Sequence, residues 1–263
     1  LFILFMAWKG RIVLPTPAWV SYAEQLNILG KKYISIQCSD ETNFKLTSDM
    51  VDDYCQEGDL VIFTNPDNPT GVVYSSEELE KLATAFRNKN ITVLSDEIYL
   101  RLAYQETKSL SIFYPENTII VSGLSKEIGC GGWRCGWMVT PISCNSLHGI
   151  MVRLGLSIYS CCSHNIQACA AYAMSFPSDI IKHLNDARTL FSNGASLVRQ
   201  KLIDNKIKCT IPEAAWYIWV SLDDTKYGSF LKNKGINTST ELTTKLANDT
   251  GFIAVPGEAF GIS

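Results

Sequence analysis

The sequence predicts an α/β fold in which a mostly parallel, doubly wound sheet is covered by helices on both faces. Two observations predict it. Apolar runs such as Leu60-Val-Ile-Phe63, Ile91-Thr-Val-Leu94 and Thr118-Ile-Ile-Val121 have the uninterrupted hydrophobicity of strands buried on both sides. Amphipathic stretches with helix start and stop residues lie between such runs, and strand, helix and strand in alternation favour parallel pairing. The 263 residues, 46% hydrophobic and 19% charged, suffice for one large core with a smaller appended lobe.

The elements follow in order. Leu1-Phe-Ile-Leu-Phe-Met-Ala7-Trp8 reads as the tail of a buried helix whose start is absent. It is too short to span a bilayer, is broken by Lys9-Gly10-Arg11, and has no charged segment before it. Arg11 to Leu14 is expected as a buried strand ended by Pro15-Thr-Pro17. Ser21 to Leu29 is helical and stops at Gly30. Lys32 to Gln37 alternates as a more exposed strand. A helix from Thr47 to Gln56 stops at Gly58, and Asp59 to Thr64 is a second buried strand. Ser75-Ser-Glu-Glu78 has the spacing of a capping box, with Leu79, Leu82, Ala83 and Phe86 at helical intervals behind it. Asn88-Lys-Asn90 closes that helix before a strand from Ile91 to Leu94. Thr118 to Val121 and Gly136 to Thr140 are further strands. Helical patterns dominate after Pro141, including Ser163 to Met174, and Phe176-Pro177-Ser178 reads as a hinge. Residues 1–174 are therefore expected to form a large domain and residues 175–263 a small one. The small one begins with an amphipathic helix from Asp179 to Asp204 that carries Leu184, Ala187, Phe191, Ala195, Val198 and Leu202 on one face. Strands at Lys206 to Ile211 and Trp216 to Ser221, a helix at Thr240 to Asn248 and a strand at Phe252 to Val255 complete it.

The net charge of −3 and the lack of any long Lys/Arg run give no electrostatic reason for a nucleic acid or anionic membrane partner. A small molecule is the expected partner. Nine scattered cysteines without Cys-x-x-Cys spacing, beside only three histidines, point to reduced cytosolic thiols rather than a disulfide frame or zinc site. His164 reads as a structural histidine.

Several residues sit where chemistry is done. Lys126 follows the apolar run Thr118 to Val121 and precedes a glycine-rich turn, so a long amine is held at a strand end. Desolvation lowers an amine's pKa, and the neutral amine condenses with an aldehyde to a Schiff base. A solvated loop lysine is the ordinary alternative. Asp96 closes the preceding strand, where a carboxylate is otherwise a cap or a solvated turn residue. The turn Asn65-Pro-Asp-Asn68-Pro-Thr-Gly71 follows a buried strand directly, at the edge where open α/β sheets place ligands. Arg134, eight residues past Lys126, offers a planar fork to a dianion, with a structural ion pair as the alternative. Trp19 lies just past the first strand, as a ring platform or as a rim or core tryptophan.

Together Pro15-Thr-Pro-Ala-Trp19-Val-Ser-Tyr22, Asn65 to Gly71, Ser95-Asp96-Glu-Ile-Tyr99 and Ser122-Gly-Leu-Ser125-Lys126 through Gly132-Trp-Arg134-Cys-Gly-Trp137 resemble the class I/II, fold-type I, pyridoxal-phosphate aminotransferases. The wording is similar to the tyrosine, aspartate, alanine and kynurenine branch, in order, over almost the whole chain. The resemblance implies a fold-type I architecture: an α/β large domain whose strand Gly136 to Thr140 runs antiparallel, plus a smaller α+β domain. It implies that Lys126 holds pyridoxal 5′-phosphate as a Schiff base, that Asp96 pairs with the ring nitrogen, and that Asn68 and Tyr99 reach the phenolic oxygen. Trp19 would stack on the ring and Arg134 would grip the phosphate. Relatives often hold that phosphate with a hydroxyl residue three positions before the lysine as well. That position is Gly123 here, so Ser122 or Ser125 is expected to substitute. Ala215 and Trp216 stand where relatives have Gly and Phe.

The implied activity is transfer of an amino group between an L-amino acid and a 2-oxo acid, in a cytoplasmic homodimer without a metal, a nucleic-acid partner or a membrane. Two alternatives remain at this point: a β-lyase or ring-forming lyase using the same cofactor, and a catalytically inactive binding or structural subunit. The second arises because relatives carry a glycine-containing phosphate-binding helix start and a tyrosine upstream of Leu1, and a carboxylate-binding arginine downstream of Ser263. The chain therefore reads as trimmed at both ends.

Overall fold

The computed structural model describes residues 1–222 and 225–262. The central sheet has six strands, β1 (Ile12–Thr16), β2 (Tyr33–Gln37), β3 (Leu60–Thr64), β4 (Thr92–Asp96), β5 (Thr118–Gly123) and β6 (Gly136–Val139). Their order is β2-β1-β3-β4-β5-β6, parallel throughout except for the antiparallel pair β5 and β6. The helices among the described residues are α1 (Phe2–Ala7), α2 (Val20–Ile28), α3 (Ser48–Tyr54), α4 (Ser76–Asn88), α5 (Asn145–Ile158), α6 (His164–Met174), α7 (Ser178–Asp204), α8 (Lys226–Asn233) and α9 (Ser239–Thr250). None is long and apolar enough to cross a membrane. A separate pair of short antiparallel strands, β7 (Lys208–Cys209) and β8 (Val220–Ser221), follows α7.

Alternation along each buried strand builds two cores, because successive side chains leave a sheet on opposite faces. Val61 and Phe63 of β3 join Leu79, Leu82 and Phe86 of α4 on one face. Leu60 and Ile62 join Phe5 of α1, Leu26 of α2 and Met151 of α5 on the other. The short helix α1 is anchored by Leu4 and Phe5, which are fully buried. The α4 capping box is formed as its sequence predicts: Glu78 N–H donates to Ser75 Oγ at 3.2 Å, and Ser75 N–H donates to Glu78 Oε2 at 2.7 Å.

One ion pair fixes the start of the sheet. Asp59 sits just before β3 with a side chain only 1% exposed, and its carboxylate accepts from Arg11 Nε at 2.9 Å and Arg11 Nη2 at 2.7 Å. Gln56 N–H adds a donor at 2.8 Å. The bidentate fork makes burial of that charge tolerable and ties β1 to β3.

Four expectations are corrected. Proline does not end the first strand, since β1 runs through Pro15 to Thr16. The ladder to β3 stops at Val13, so a residue without an N–H is accommodated beyond it. The strands expected at 206–211 and 216–221 shrink to two residues each, because the chain between them turns away to bond the main body, as described below. The strand expected at Phe252 to Val255 is absent. Those residues form no ladder with any described segment, and Phe252, Ile253 and Val255 are exposed. The apolar face of α7 packs through Ile180, Leu184, Ala187 and Phe191 against Tyr99 and Leu102, but Val198 is half exposed.

Arg11→Met would leave the Asp59 carboxylate buried without its cation. Urea unfolding at neutral pH is expected to show a loss of about 2–3 kcal/mol. Lys81→Met, at the exposed pair with Glu77, is the comparison and is expected to leave the unfolding midpoint unchanged.

Candidate active site

Because β3, β4 and β5 are neighbours and parallel, their carboxyl ends open on one edge, and the turns that follow carry Asn68, Tyr99 and Lys126. Asp96 is itself the last residue of β4, paired in register with Thr64 and Val121. Its side chain is buried. Tyr22 donates its hydroxyl to Asp96 Oδ2 at 2.7 Å, and Ile98 N–H donates to Oδ1 at 3.2 Å. Burial holds the Asp96 carboxyl above the usual carboxylate range against the pull of those two donors. Two ionised oxygens accept more bonds than these, so the carboxylate keeps capacity for a cationic N–H.

Lys126 projects from the turn after β5. That turn is closed by Leu124 N–H on Cys135 O at 3.1 Å and Cys130 N–H on Leu124 O at 3.0 Å. The Lys126 amine lies 6.0 Å from the centre of the Tyr99 ring and 5.8 Å from that of Trp216. Among the described residues it pairs with no carboxylate. The amine thus lies near two aromatic rings, on the turn that follows β5, the strand next to the one Asp96 closes.

Tyr99 is buried, and its hydroxyl lies 2.6 Å from that of Tyr217 and accepts from Asn68 Nδ2 at 3.5 Å. Burial and the Tyr217 contact push its pKa well up, so it stays a donor at neutral pH. Asn68 is aimed by a turn closed on Asp67, whose Oδ2 accepts from Thr70 Oγ1 at 2.5 Å and Thr70 N–H at 3.2 Å. The Asp67 carboxyl adjoins a small cavity of about 20 Å³, roughly one water in size, lined also by Tyr22, Thr64, Cys38 and Tyr74. Burial raises its pKa from 3.8 to about 7 despite the Thr70 bonds.

Trp19 stands at the start of α2, half-buried, with its ring 5.2 Å from and edge-on to that of Tyr22. Arg134 departs from expectation. It is exposed rather than buried, takes the left-handed conformation (φ 55°), and donates from Nη1 to Gly131 O at 2.6 Å. The short helical turn at Gly131–Trp133 reverses the backbone there and folds the side chain back on itself. Ser122 spends its hydroxyl on Glu97 O at 3.4 Å, whereas Ser125 is half-buried in the lysine turn beside Gly131. A side chain at Gly123 would place Cβ 2.8 Å from Cys135 O, which explains why no hydroxyl residue stands three positions before the lysine. His164 is exposed at the start of α6 rather than a satisfied core histidine.

Two site residues have no role in the sequence reading. Tyr22 lies one helical turn after Trp19, and that spacing was the available signal. Tyr217 falls on the tyrosine of the Gly-Phe-Tyr-x-Trp strand that residues 215–219 resemble, but that pattern gave it no role because its partner is distant in sequence. Glu97 and Glu127 are buried acids with structural partners: Glu97 accepts from Ser95 and Ser109 at 2.8 and 2.6 Å, and Glu127 pairs with Arg101 at 3.1 Å. No group of three or more His, Cys, Asp or Glu among the described residues is placed to hold a metal ion.

Over residues 1–263 the sequence matches the family model described as aminotransferase class I and II. The chain belongs to that family. It is 29% identical over 272 residues to an aspartate aminotransferase of Bacillus subtilis (strain 168), covering 99% of this chain and 65% of the relative. It is also 29% identical over 259 residues to an asparagine–oxo-acid transaminase of Streptococcus mutans, covering 96% of this chain and 63% of the relative. Among solved structures, the Pyrococcus horikoshii aromatic aminotransferase superposes with a TM-score of 0.86 at 27% identity, covering 99% of this chain and 69% of that one. The Thermus thermophilus aspartate aminotransferase with maleate superposes with a TM-score of 0.88 at 24% identity, covering 99% and 66%. This likeness establishes the fold: an α/β architecture with a mostly parallel sheet and one antiparallel pair. The chain thus spans less than two thirds of the length of the two sequence relatives named here.

Asp67 gives the site a pH signature. The folded chain binds the Asp67 proton more tightly than the unfolded chain does, so this contribution to stability is complete below pH 4 and lost as pH rises toward 7. Between pH 5 and pH 8 the unfolding free energy of Asp67→Asn is expected to fall less than that of the parent, by roughly 2–3 kcal/mol. Denaturant titrations at the two pH values measure it.

Proposed function

We propose that this chain binds pyridoxal 5′-phosphate and forms the cofactor-binding part of an aminotransferase that moves an amino group between an L-amino acid and a 2-oxo acid. The convergence of Lys126, Asp96, Tyr99 and Asn68 at the carboxyl ends of three adjacent parallel strands is the observation that carries the reading. Relatives that print aspartate aminotransferase and asparagine–oxo-acid transaminase as their names support the reaction class.

The residues fit the cofactor by their chemistry. A buried carboxylate with spare acceptor capacity suits a protonated ring nitrogen, an amine without an ion partner suits an aldehyde, and a tyrosine–amide pair suits a phenolate. When bound, pyridoxal phosphate supplies the carbonyl that captures an amine and the ring that takes up electrons from the substrate Cα. Lys126 Nζ would hold the cofactor through its aldehyde and, as a free amine, would carry a proton away from the substrate Cα. Asp96 keeps the ring nitrogen protonated, and Tyr22 and the Ile98 N–H orient that carboxylate. Tyr99 and Asn68 donate to the phenolic oxygen, and Trp19 covers the ring. Arg134 grips the phosphate by giving up the Gly131 carbonyl, with Ser125 or Ser122 as a second donor.

In this reading residues 1–174 are the large domain and 175–263 the small one. The partners are the amino acid and the 2-oxo acid, with no nucleic acid or membrane, in a cytoplasmic homodimer. Exposed Val152, Leu156, Ile158 and Tyr159 on and after α5 supply apolar surface for a second copy.

Titration with pyridoxal phosphate is expected to give a visible absorption band that Lys126→Ala abolishes, and identical spectra for parent and variant would overturn the reading. In the protein assayed with amino donor and 2-oxo acid, Asp96→Asn is expected to lower the transfer rate by roughly 10²–10³-fold.

A further inference from the structure

We infer that Tyr217 is a positioning residue for the phenolic-oxygen donor Tyr99, seated by Gly71, an inference that rests on the cofactor reading above. Two families of bonds lead to it. The segment 210–217 is sewn to the turn that carries Asn68: Thr210 Oγ1 donates to Thr70 O at 2.8 Å, Glu213 N–H to Gly71 O at 2.9 Å, and Val73 N–H to Glu213 Oε2 at 2.9 Å. The same segment is sewn to the stretch after Tyr99: Ala215 N–H donates to Leu102 O at 3.1 Å, Tyr104 N–H to Glu213 O at 2.8 Å, and Tyr104 Oη to Ala215 O at 2.7 Å. Both carriers of the phenolic-oxygen donors are thereby fixed relative to Tyr217 before its side chain makes any contact. The backbone of Tyr217 itself lies in the space a side chain at position 71 would take. A Cβ there would stand 2.7 Å from Tyr217 O, and Gly71 also needs its positive φ of 73°.

The hydroxyl held this way ends 2.6 Å from Tyr99 Oη, with the rings edge to face at 5.5 Å. Either oxygen can be the donor, so the pair is a two-state relay. With an anionic phenolic oxygen in the site, Tyr99 donates toward it and Tyr217 turns to donate to Tyr99. A tyrosine that accepts a hydrogen bond is a stronger donor, because a chain of hydrogen bonds polarises along its length. Tyr217 therefore acts on the cofactor's acid–base chemistry without touching it, and removing its hydroxyl leaves the phenolic oxygen more basic.

The test is the pH titration of the visible band of the pyridoxal-phosphate-loaded protein, a signature that a merely structural tyrosine does not move. Tyr217→Phe keeps the ring and is expected to raise the apparent pKa of the spectral transition by roughly half to one pH unit. Tyr99→Phe is expected to raise it further, and Tyr99→Phe/Tyr217→Phe to match Tyr99→Phe alone, because the second hydroxyl works only through the first. A Tyr217→Phe titration that superimposes on the parent, or a double variant in which the two shifts add, overturns the positioning role while leaving the cofactor reading intact. A parent protein that shows no visible band overturns both.

Discussion

A carboxylate buried at the end of a parallel strand is the constraint around which this molecule is arranged. Asp96 is desolvated, which opposes its ionisation, and the fold answers with a tyrosine hydroxyl and one backbone N–H. The Tyr22 bond requires α2 to begin where it does, so that the helix that starts at Trp19 returns its first turn across the end of β4. The same placement sets the half-buried Trp19 ring edge-on to Tyr22. Asp59 is paired with Arg11 and Glu127 with Arg101. Asp96, like Asp67 and Glu97, is held by neutral donors instead, and of these three it is the one that closes a parallel strand next to the turns carrying Asn68 and Lys126.

The neighbouring turns obey a second rule, that what is aimed must be held from both sides. Asn68 is fixed by the Asp67–Thr70 closure below and by residues 210–213 above. Tyr99 is fixed by its burial and by residues 213–217. Lys126 is held by its own turn and lies near two aromatic rings.

Much of the large sheet was legible in the sequence because its determinants are local. Continuous apolar runs, the Ser75–Glu78 box and the glycines at 30 and 58 each report on a few consecutive residues. Reading failed where distant contacts decide. Residues 206–221 have strand-like composition, yet hydrogen bonds to 70–73 and 102–104 leave only two-residue strands. Phe252 to Val255 has the pattern of a strand but no described partner. Pro15 was a fair stop signal, overruled because β3 no longer pairs at that height. In the site, Lys126, Asp96, Asn68 and Tyr99 were legible as strand-end residues with recognisable neighbours. The roles of Tyr22 and Tyr217 were not, since the patterns that contain these residues do not reveal hydroxyl contacts made across 74 and 118 residues. Arg134 was placed by its spacing, but its exposure depends on a left-handed turn that spacing does not specify.

The two facing glycines of β5 and β6 carry a consequence for how this chain can vary. Gly123 opposes Gly136, a Cβ on the first would lie 2.8 Å from Cys135 O, and one on the second 3.0 Å from Ser122 O. A side chain at 123 would force the strands apart, and one at 136 would need the facing backbone to give by a few tenths of an ångström. A hydroxyl-bearing side chain at 123 would require the hairpin to widen first, moving Lys126 and Arg134 with it. What either position can carry is thus set by the other through the closeness of two backbones.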